Sequence, residues 1–275
     1  MLPEVQAPPT ENTIEAVLPR PSARRPLLVA LGTTFVVTVL SYVGPYVQQA
    51  TAVARGQLVA LWRPFTYIVP LLDAGTLVGL AFLVATWWFV LRGDEHVIRE
   101  HGLSLGGLLE PLPLDARRIA KDAASSVLWV LLLAAVVFPP FWYGFKWFWH
   151  ARMPFVWLPP RSPWFEEIAG QLLVVALPEE AFFRGYLQTE LDAAWGKRFR
   201  LFGAELGLGW LVSAIIFAVG HLLTTPMPTR LAVFFPALLF GWLRARSGGI
   251  GAGVLFHAMC NLFSATLARG YGLSG

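Results

Sequence analysis

Residues 172–187, LLVVALPEEAFFRGYL, decide how this chain folds. The run is as apolar as a helix inside a lipid bilayer, yet Glu179, Glu180 and Arg184 stand in its middle. Ionisable side chains at such a depth are costly, and they normally face the interior of a helix bundle or a water-filled cavity. The stretch therefore predicts a buried helix with a functional role in a membrane protein.

The two adjacent carboxylates of this stretch are expected to differ. Glu180 and Arg184 are four residues apart, so they share a helix face, with the acid nearer the N-terminus as an ion pair prefers. Glu179 is turned by about 100° from Glu180, toward the face that carries Phe183. One carboxylate therefore has a counter-ion within its own helix, and the other does not.

The composition of the whole chain is that of a polytopic membrane protein. Of its 275 residues, 56% are hydrophobic and 14% are charged, whereas soluble domains carry about 25% charged residues. The basic residues are scattered between apolar runs, as is typical of residues that set the orientation of membrane helices. This pattern argues against a protein that binds nucleic acid. The single cysteine, Cys260, excludes an intramolecular disulfide and any multi-cysteine zinc site.

Seven apolar runs are candidates for membrane-spanning helices, and the sixth of them is short. They predict an all-α, polytopic transmembrane bundle of about seven or eight spans, with the active site in its core. Pro139 and Pro140 interrupt the third run and are expected to disturb its end. The polar residues 1–25 predict a disordered tail. The runs are 26–47, 64–91, 126–149, 165–187, 206–225, 230–243 and 249–267.

Lys and Arg residues in the connections predict the orientation. If the N-terminus is inside and seven spans follow, thirteen basic residues lie on the inner side and seven on the outer side. Because cytoplasmic loops are enriched in basic residues, this distribution predicts a cytoplasmic N-terminus and a place in the cell membrane. The inner residues are Arg20, Arg24, Arg25, Arg92, Arg99, Arg117, Arg118, Lys121, Lys197, Arg198, Arg200, Arg244 and Arg246. The outer residues are Arg55, Arg63, Lys146, Arg152, Arg161, Arg230 and Arg269.

Two further predicted helices carry pairs of residues at helical spacing. Phe217 and His221 lie in the fifth span and His257 and Asn261 in the seventh, and the members of each pair share one helix face. At about 1.5 Å per residue, both histidines and Glu179 fall near the middle of the bilayer. Water-assisted peptide hydrolysis requires a base, a proton shuttle and donors to the oxyanion, which a carboxylate, two imidazoles and an amide can supply.

These residues resemble the motifs of one protein family. The segments PEEAFFRG, FAVGH and HAMCN fit EExxxR, FxxxH and HxxxN, in that order. Over about residues 165–268, the chain is similar to the CPBP family of intramembrane proteases, which includes type II CAAX prenyl endopeptidases and bacteriocin-processing or immunity proteins. The flanking sequence FFRGYLQTELDAAW resembles that of the myxosortase-like branch of the family, which processes C-terminal sorting tails.

The resemblance implies an intramembrane endopeptidase that works without a metal or another cofactor. Glu179 would be the general base, with His221 as its partner on the attacking water. His257 and Asn261 would form the oxyanion hole. The residues that support the site would be Glu180, Arg184 and Phe217. The implied partners are the lipid bilayer and a membrane-anchored or lipidated substrate protein, which is cut near its C-terminal tail.

The resemblance also suggests how the chain is divided. Residues 1–25 form the predicted tail, residues 26–164 an N-terminal transmembrane region, and residues 165–275 a CPBP-like catalytic core.

Three alternatives remain open from the sequence. Glu179, His221 and His257 are the residue types of a His₂Glu zinc site, although the HExxH signature is absent. A non-proteolytic membrane module, such as an immunity or scaffold protein, would keep the cavity without turnover. A transporter would need polar groups along a path across the membrane, whereas these lie at one level.

Overall fold

The computed structural model describes residues 20–58, 74–110, 113–160 and 162–273. In chain order its first helices are α1 (Arg24–Leu58), α2 (Ala74–Thr86, prolonged by the π-helical turn Trp87–Leu91), α3 (Glu95–Glu100), α4 (Ala116–Phe148) and α5 (164–195). A hairpin of β1 (Lys197–Leu201) and β2 (Ala204–Gly207) leads to α6 (Leu208–Thr224), α7 (Phe234–Ser247) and α8 (Gly251–Gly270). Short 3₁₀ helices occur at Leu105–Gly107 and Pro228–Val233.

The predicted all-α membrane bundle is confirmed. Among the described residues, four helices are long and apolar enough to cross a membrane, at Arg24–Tyr46, Ala74–Leu91, Ala116–Phe148 and Gly251–Gly270. Helix α6 is equally apolar but shorter. Most of the predicted tail, residues 1–19, and the first part of the second predicted run, residues 64–73, lie outside the described residues.

Helix α5 is continuous but irregular in its hydrogen bonding. Three α-helical segments, Trp164–Ala169, Leu177–Glu180 and Thr189–Trp195, are joined by π-helical segments at Gly170–Ala176 and Ala181–Gln188. Pro178 has no N–H, so the carbonyl of Val174 cannot receive the usual bond from four residues on. π-Helical turns are rare and are often found at functional sites. Residues 178–188 are all buried, so the polar side chains of α5 lie in the core.

Helix α5 has packed helices on two sides, and α6 and α7 also pack against each other. On one side α1, α2 and α6 pack against it through a cluster that includes Phe82, Phe183 and Phe217. On the other side α4, α7 and α8 pack together through Phe240 and Phe256. Lipid tails are as apolar as these side chains, so the association of the helices depends on close contact rather than on the exclusion of water.

The two prolines of the third predicted span do not end its helix. Helix α4 starts ten residues before the predicted run and continues through Pro139 and Pro140 to Phe148. Contacts with α8 hold it on both sides of the prolines, because Phe138 stacks on Phe263 at 4.3 Å and Trp142 lies against the same ring. Prolines are tolerated in membrane helices when neighbouring helices support the weakened backbone.

The β-hairpin was not expected from the sequence, which predicted a plain connection between the fourth and fifth spans. Strands β1 and β2 are antiparallel and short, and Phe202 and Gly203 form the turn with positive φ. The Trp242 indole N–H donates to the carbonyl of Leu201 at 2.9 Å, which fastens the hairpin to α7. Helix α6 consequently begins at Leu208, two residues after the predicted start of its span.

Most of the basic segments meet at one end of the bundle, here called the basic end. This end comprises the starts of α1, α4, α6 and α8, the ends of α2, α5 and α7, and the hairpin. Arg244 donates to the carbonyl of Glu100 at 2.6 Å. Arg118 and Arg99 both bind the Glu110 carboxylate, at 2.7 and 3.0 Å. The hydrogen bond from Arg118 holds the pKa of Glu110 below its ordinary value.

The opposite end comprises the starts of α2, α5 and α7 and the ends of α1, α4, α6 and α8. Here the Val156 N–H donates to the carbonyl of Gly270 at 2.9 Å, which places the chain between α4 and α5 against the end of α8. Arg269 of α8 also binds Glu167 in the first turn of α5 at 2.8 Å. Both ends of the bundle are therefore tied by contacts between segments distant in sequence.

The packing of α2 on α5 is tested at Gly79. A Cβ atom at this position would overlap the carbonyl oxygen of Val174, so the Gly79→Ala variant must force the two helices apart. Overpacking of this kind costs about 1–3 kcal/mol, and we expect a lower thermal midpoint for the purified protein in detergent. The control is Gly32→Ala, where a Cβ meets nothing within 4 Å, and which should keep or raise the midpoint. Equal midpoints would contradict the close crossing.

Candidate active site

The carboxylate of Glu180 lies at the junction of α5, α7 and α8. It is fully buried, and its Oε1 atom accepts hydrogen bonds from Arg184 Nη1 at 3.0 Å and from His257 Nδ1 at 2.9 Å. The second terminal nitrogen of Arg184 donates to the carbonyl of Ala237 on α7 at 3.2 Å. The ion pair expected from the spacing of Glu180 and Arg184 is therefore present, and it extends to two further helices.

Aromatic rings surround the guanidinium of Arg184. Its Cζ atom lies 4.4 Å from the ring centre of Phe217 and 5.1 Å from that of Phe240. Rings at this distance attract a cation, and more so where water is excluded. Phe240 also stacks on the imidazole of His257 at 4.7 Å and nearly parallel, at 13°. The two phenylalanines thus hold both hydrogen-bond partners of Glu180 in place.

Glu179 has a different environment from its neighbour. Its side chain retains 12% exposure, and its Oε2 atom lies 3.8 Å from His257 Nε2. This oxygen is buried and accepts no hydrogen bond from the residues that the structure describes. The Oε2 atom of Glu180 is also unbonded among the described residues, but Glu180 is fully buried, whereas Glu179 lines a cavity that another molecule could enter.

The hydrogen bond of His221 determines which of its nitrogens is available. Its Nδ1 atom lies 3.0 Å from the carbonyl of Phe217, and a carbonyl can only accept, so Nδ1 carries the proton. In the neutral ring, Nε2 is then the acceptor. The FxxxH spacing thus serves two purposes, because Phe217 fixes the His221 tautomer through its backbone and contacts Arg184 through its ring.

Two cavities meet at His221. The smaller, of about 90 Å³, lies between α1, α2, α5 and α6 and is lined by Glu179, His221 and the hydroxyl-bearing residues Thr34, Ser41 and Thr224. The larger, of about 510 Å³, is lined by residues of α5, α6, α7, α8 and the 3₁₀ helix at 228–233. The polar residues of its wall are Gln171, His221, Thr224, Arg230, His257, Asn261 and Ser264.

The structure therefore distributes the expected catalytic residues over two cavities that share His221 as a lining residue. His221 belongs to both cavities, His257 and Asn261 to the larger one, and Glu179 to the smaller one. The short distance from Glu179 to His257 places the carboxylate at the boundary between the cavities. All four side chains thus lie around one region of the core, as their similar depth predicted.

Three features of this site were not found by sequence reasoning. Gln171 accepts a hydrogen bond from Asn261 Nδ2 at 2.9 Å. The sequence clue to this residue was an amide side chain two helical turns before Glu179 in an otherwise apolar run. Phe240 was not singled out, because α7 contains several phenylalanines and nothing in the sequence indicates which of them stacks on His257. Thr34 lies in α1 with its hydroxyl buried and unbonded among the described residues, and such a hydroxyl is common in apolar helices.

The described residues contain no group of three or more His, Cys, Asp or Glu side chains placed to hold a metal ion. Glu179, His221 and His257 line the same region without converging as a ligand set. These three residues therefore do not form a set of zinc ligands in this conformation.

Comparison with known proteins gives one match. Residues 161–263 match the family model of the Rce1-like type II CAAX prenyl endopeptidases. No curated protein and no solved structure matches the chain. The matched range contains the glutamate pair, Arg184 and the residues of the other two motifs, whereas α1 to α4 precede it.

The structural role of Arg184 can be tested by removing it. The Arg184→Ala variant leaves Glu180 as a buried carboxylate without its guanidinium, and breaking a buried pair in this way costs about 3–5 kcal/mol. We expect a lower yield of monodisperse protein and a lower thermal midpoint in detergent. Arg198→Ala, in the exposed strand β1, removes the same charge from the surface and should leave both measurements unchanged. If the two variants are equally stable, Arg184 does not hold the three helices together.

Proposed function

We propose that this chain, whose residues 161–263 carry the Rce1-like domain of type II CAAX prenyl endopeptidases, is an intramembrane endopeptidase in which Glu179 activates water. The family match supports a peptidase of the CAAX type, and the apolar helices make the chain a multi-pass membrane protein. The identity of the base, the roles of the other residues and the substrate are parts of the proposal.

The observation that carries the proposal is the unequal environment of two adjacent carboxylates. Glu180 binds Arg184 and His257 through its Oε1 atom and is fully buried, whereas Glu179 makes neither of these hydrogen bonds and lines a cavity with His221. A general base needs an acceptor within reach of the proton that it removes. Glu179 meets this requirement because water in the cavity can reach it, whereas the carboxylate of Glu180 is fully buried.

In the proposed reaction, Glu179 accepts a proton from water while the water oxygen bonds to the carbonyl carbon of the scissile peptide. Nε2 of His221 helps to hold this water, because Nδ1 is committed to the carbonyl of Phe217. When the tetrahedral intermediate collapses, the C–N bond breaks and the proton on Glu179 passes to the leaving nitrogen. General acid–base catalysis of this kind contributes about 10²–10⁴-fold in rate.

His257 and Asn261 are the proposed donors to the oxyanion. Because Nδ1–H of His257 donates to Glu180, Nε2 carries a hydrogen only when the ring is an imidazolium. An imidazolium together with Arg184 would balance the two carboxylates of the buried site. The Asn261 amide has two N–H groups; one binds Gln171 and the second is available to the substrate.

The proposed partner is a protein held in the bilayer. The CAAX protease family acts on membrane-anchored, prenylated proteins. For this chain we propose cleavage of a membrane-anchored or lipidated protein near its C-terminal tail, in the cell membrane, with the N-terminus of the enzyme in the cytoplasm. The cluster of basic segments at one end of the bundle supports this orientation.

The base is tested by comparing the two glutamates. Glu179→Gln keeps shape and volume but removes the proton acceptor, so cleavage should fall by about 10²–10⁴-fold while the protein remains folded. Glu180→Gln should lower the amount of folded protein as much as the activity, because it weakens the attachment of Arg184 and His257. Each variant is produced in a deletion strain, and C-terminal peptides of the membrane proteins are compared by mass spectrometry. A fully active Glu179→Gln variant would refute the proposal.

The oxyanion role is tested at Asn261. Loss of one such donor typically costs about 10²–10³-fold in rate, and Asn261→Ala should retain substrate binding because the donors act on charge that forms in the transition state. The control is Thr266→Val on the same helix, whose hydroxyl donates to the carbonyl of Leu262 at 2.8 Å, accepts from Arg269 at 3.4 Å and bonds none of the proposed catalytic residues. An immunity or scaffold protein would behave differently, since the cellular effect would survive Asn261→Ala combined with Glu179→Gln at normal protein levels.

A further inference from the structure

We infer that the substrate reaches this active site from the end of the bundle opposite the basic end, on the non-cytoplasmic face of the membrane. The inference rests on the proposed function and narrows its substrate class. The substrate would be a membrane-anchored protein whose scissile bond lies in the outer half of the bilayer, after the flanking segment has been exported.

The first argument is the direction in which the larger cavity extends along α8. Its lining residues begin at His257 and continue through Asn261 and Ser264 to Ala268. Helix α8 runs from Gly251 at the basic end to Gly270 at the opposite end. Ala268 lies eleven residues after His257, which corresponds to about 16 Å at the helical rise. The cavity therefore leads from the catalytic residues toward the opposite end.

The residues that line the larger cavity on the other helices indicate the same direction. On α5 it is lined by Gln171 and Val175, which lie between Glu179 and the start of the helix at the opposite end. On α6 it is lined by Thr224, the last residue of that helix. Arg230 and Val233 belong to the 3₁₀ helix that follows at the same end. The mouth thus lies beside the connection between α6 and α7.

The second argument is that the basic side of the site is closed by a layer of hydrogen bonds. Three long polar side chains donate to carbonyl groups within a single turn of α7, at Ala237, Leu238 and Gly241, over distances of 3.2, 2.8 and 3.0 Å. These donors are Arg184, Trp210 and Gln188. The fully buried Leu187 lies between Arg184 and Gln188 on α5, and the fully buried Leu191 and Leu243 follow toward the basic end. A separate cavity at the basic end reaches Gln188 from the other side of this layer, and none of the four proposed catalytic residues lines it.

The third argument assigns the two ends to the two faces of the membrane. Thirteen basic residues belong to described segments at the basic end, whereas the basic side chains described at the opposite end are those of Lys146, Arg152, Arg230 and Arg269. Basic residues in short connections are retained in the cytoplasm. The closed side of the site therefore faces the cytoplasm, and the open side faces outward.

The consequence for the substrate is specific. A tail that carries its lipid-modified cysteine at the cytoplasmic face would meet the closed side of the bundle. A protein that has been exported, and that remains anchored by a membrane segment or lipid, presents the flank of its anchor at the open side. The reaction that supplies this substrate is therefore membrane translocation rather than lipid attachment in the cytoplasm.

The test uses the single cysteine of the chain as its starting point. In the full-length Cys260→Ala protein, one cysteine is introduced at a time: Ser264→Cys in the cavity, Met153→Cys in the exposed connection at the opposite end, and Glu205→Cys in the exposed hairpin. Right-side-out and inside-out membrane vesicles are treated with a membrane-impermeant maleimide. We expect the first two variants to be labelled at least about tenfold more in right-side-out vesicles, and Glu205→Cys to show the reverse.

Each other result contradicts the inference. Labelling of Ser264→Cys mainly in inside-out vesicles, together with Glu205→Cys, would place the opening on the cytoplasmic face. Labelling of Ser264→Cys in neither preparation, when Met153→Cys is labelled, would show that water does not enter from the opposite end. The labelling does not depend on turnover, so a failure of the proposed function, seen as an active Glu179→Gln variant, is distinguished from a failure of this inference.

Discussion

The buried carboxylate of Glu180 is the interaction on which the arrangement of the core depends. A charge at this depth has to be paired, because the surrounding lipid and apolar side chains cannot solvate it. Its two partners come from different helices, Arg184 from α5 and His257 from α8, and Arg184 continues to a carbonyl of α7. Relative movement of these helices would break a charged hydrogen bond. The same bond to His257 turns the second nitrogen of that ring toward Glu179.

Interactions within one helix were predictable from the sequence, and those between helices were not. The pairing of Glu180 with Arg184 follows from a spacing of four residues, and the position of His221 near Phe217 follows from the same rule. The bond from His257 to Glu180 joins residues 77 positions apart, and no rule of spacing gives the rotation of α8 relative to α5. The contact of Asn261 with Gln171 also joins two helices, so no rule of spacing predicts it either.

The irregular backbone segments were also not predictable from the sequence patterns. Pro178 indicated a missing hydrogen bond, but not that two π-helical segments would flank it. The strands of the hairpin are so short that alternation of polar and apolar residues does not distinguish them from a loop. Helix α4 continues through two prolines because α8 supports it, and this support is a tertiary effect that local propensity does not contain.

The π-helical segments of α5 also affect how this helix is compared with others. A π-helical turn holds more residues than an α-helical turn, so the side chains that follow Gln188 are rotated relative to a regular helix of equal length. Deletion of one residue between Ala181 and Gln188 is the change that would favour regular α-helical bonding in this segment. In an alignment, a single-residue gap at this point therefore marks a change of helix geometry rather than a change of loop length.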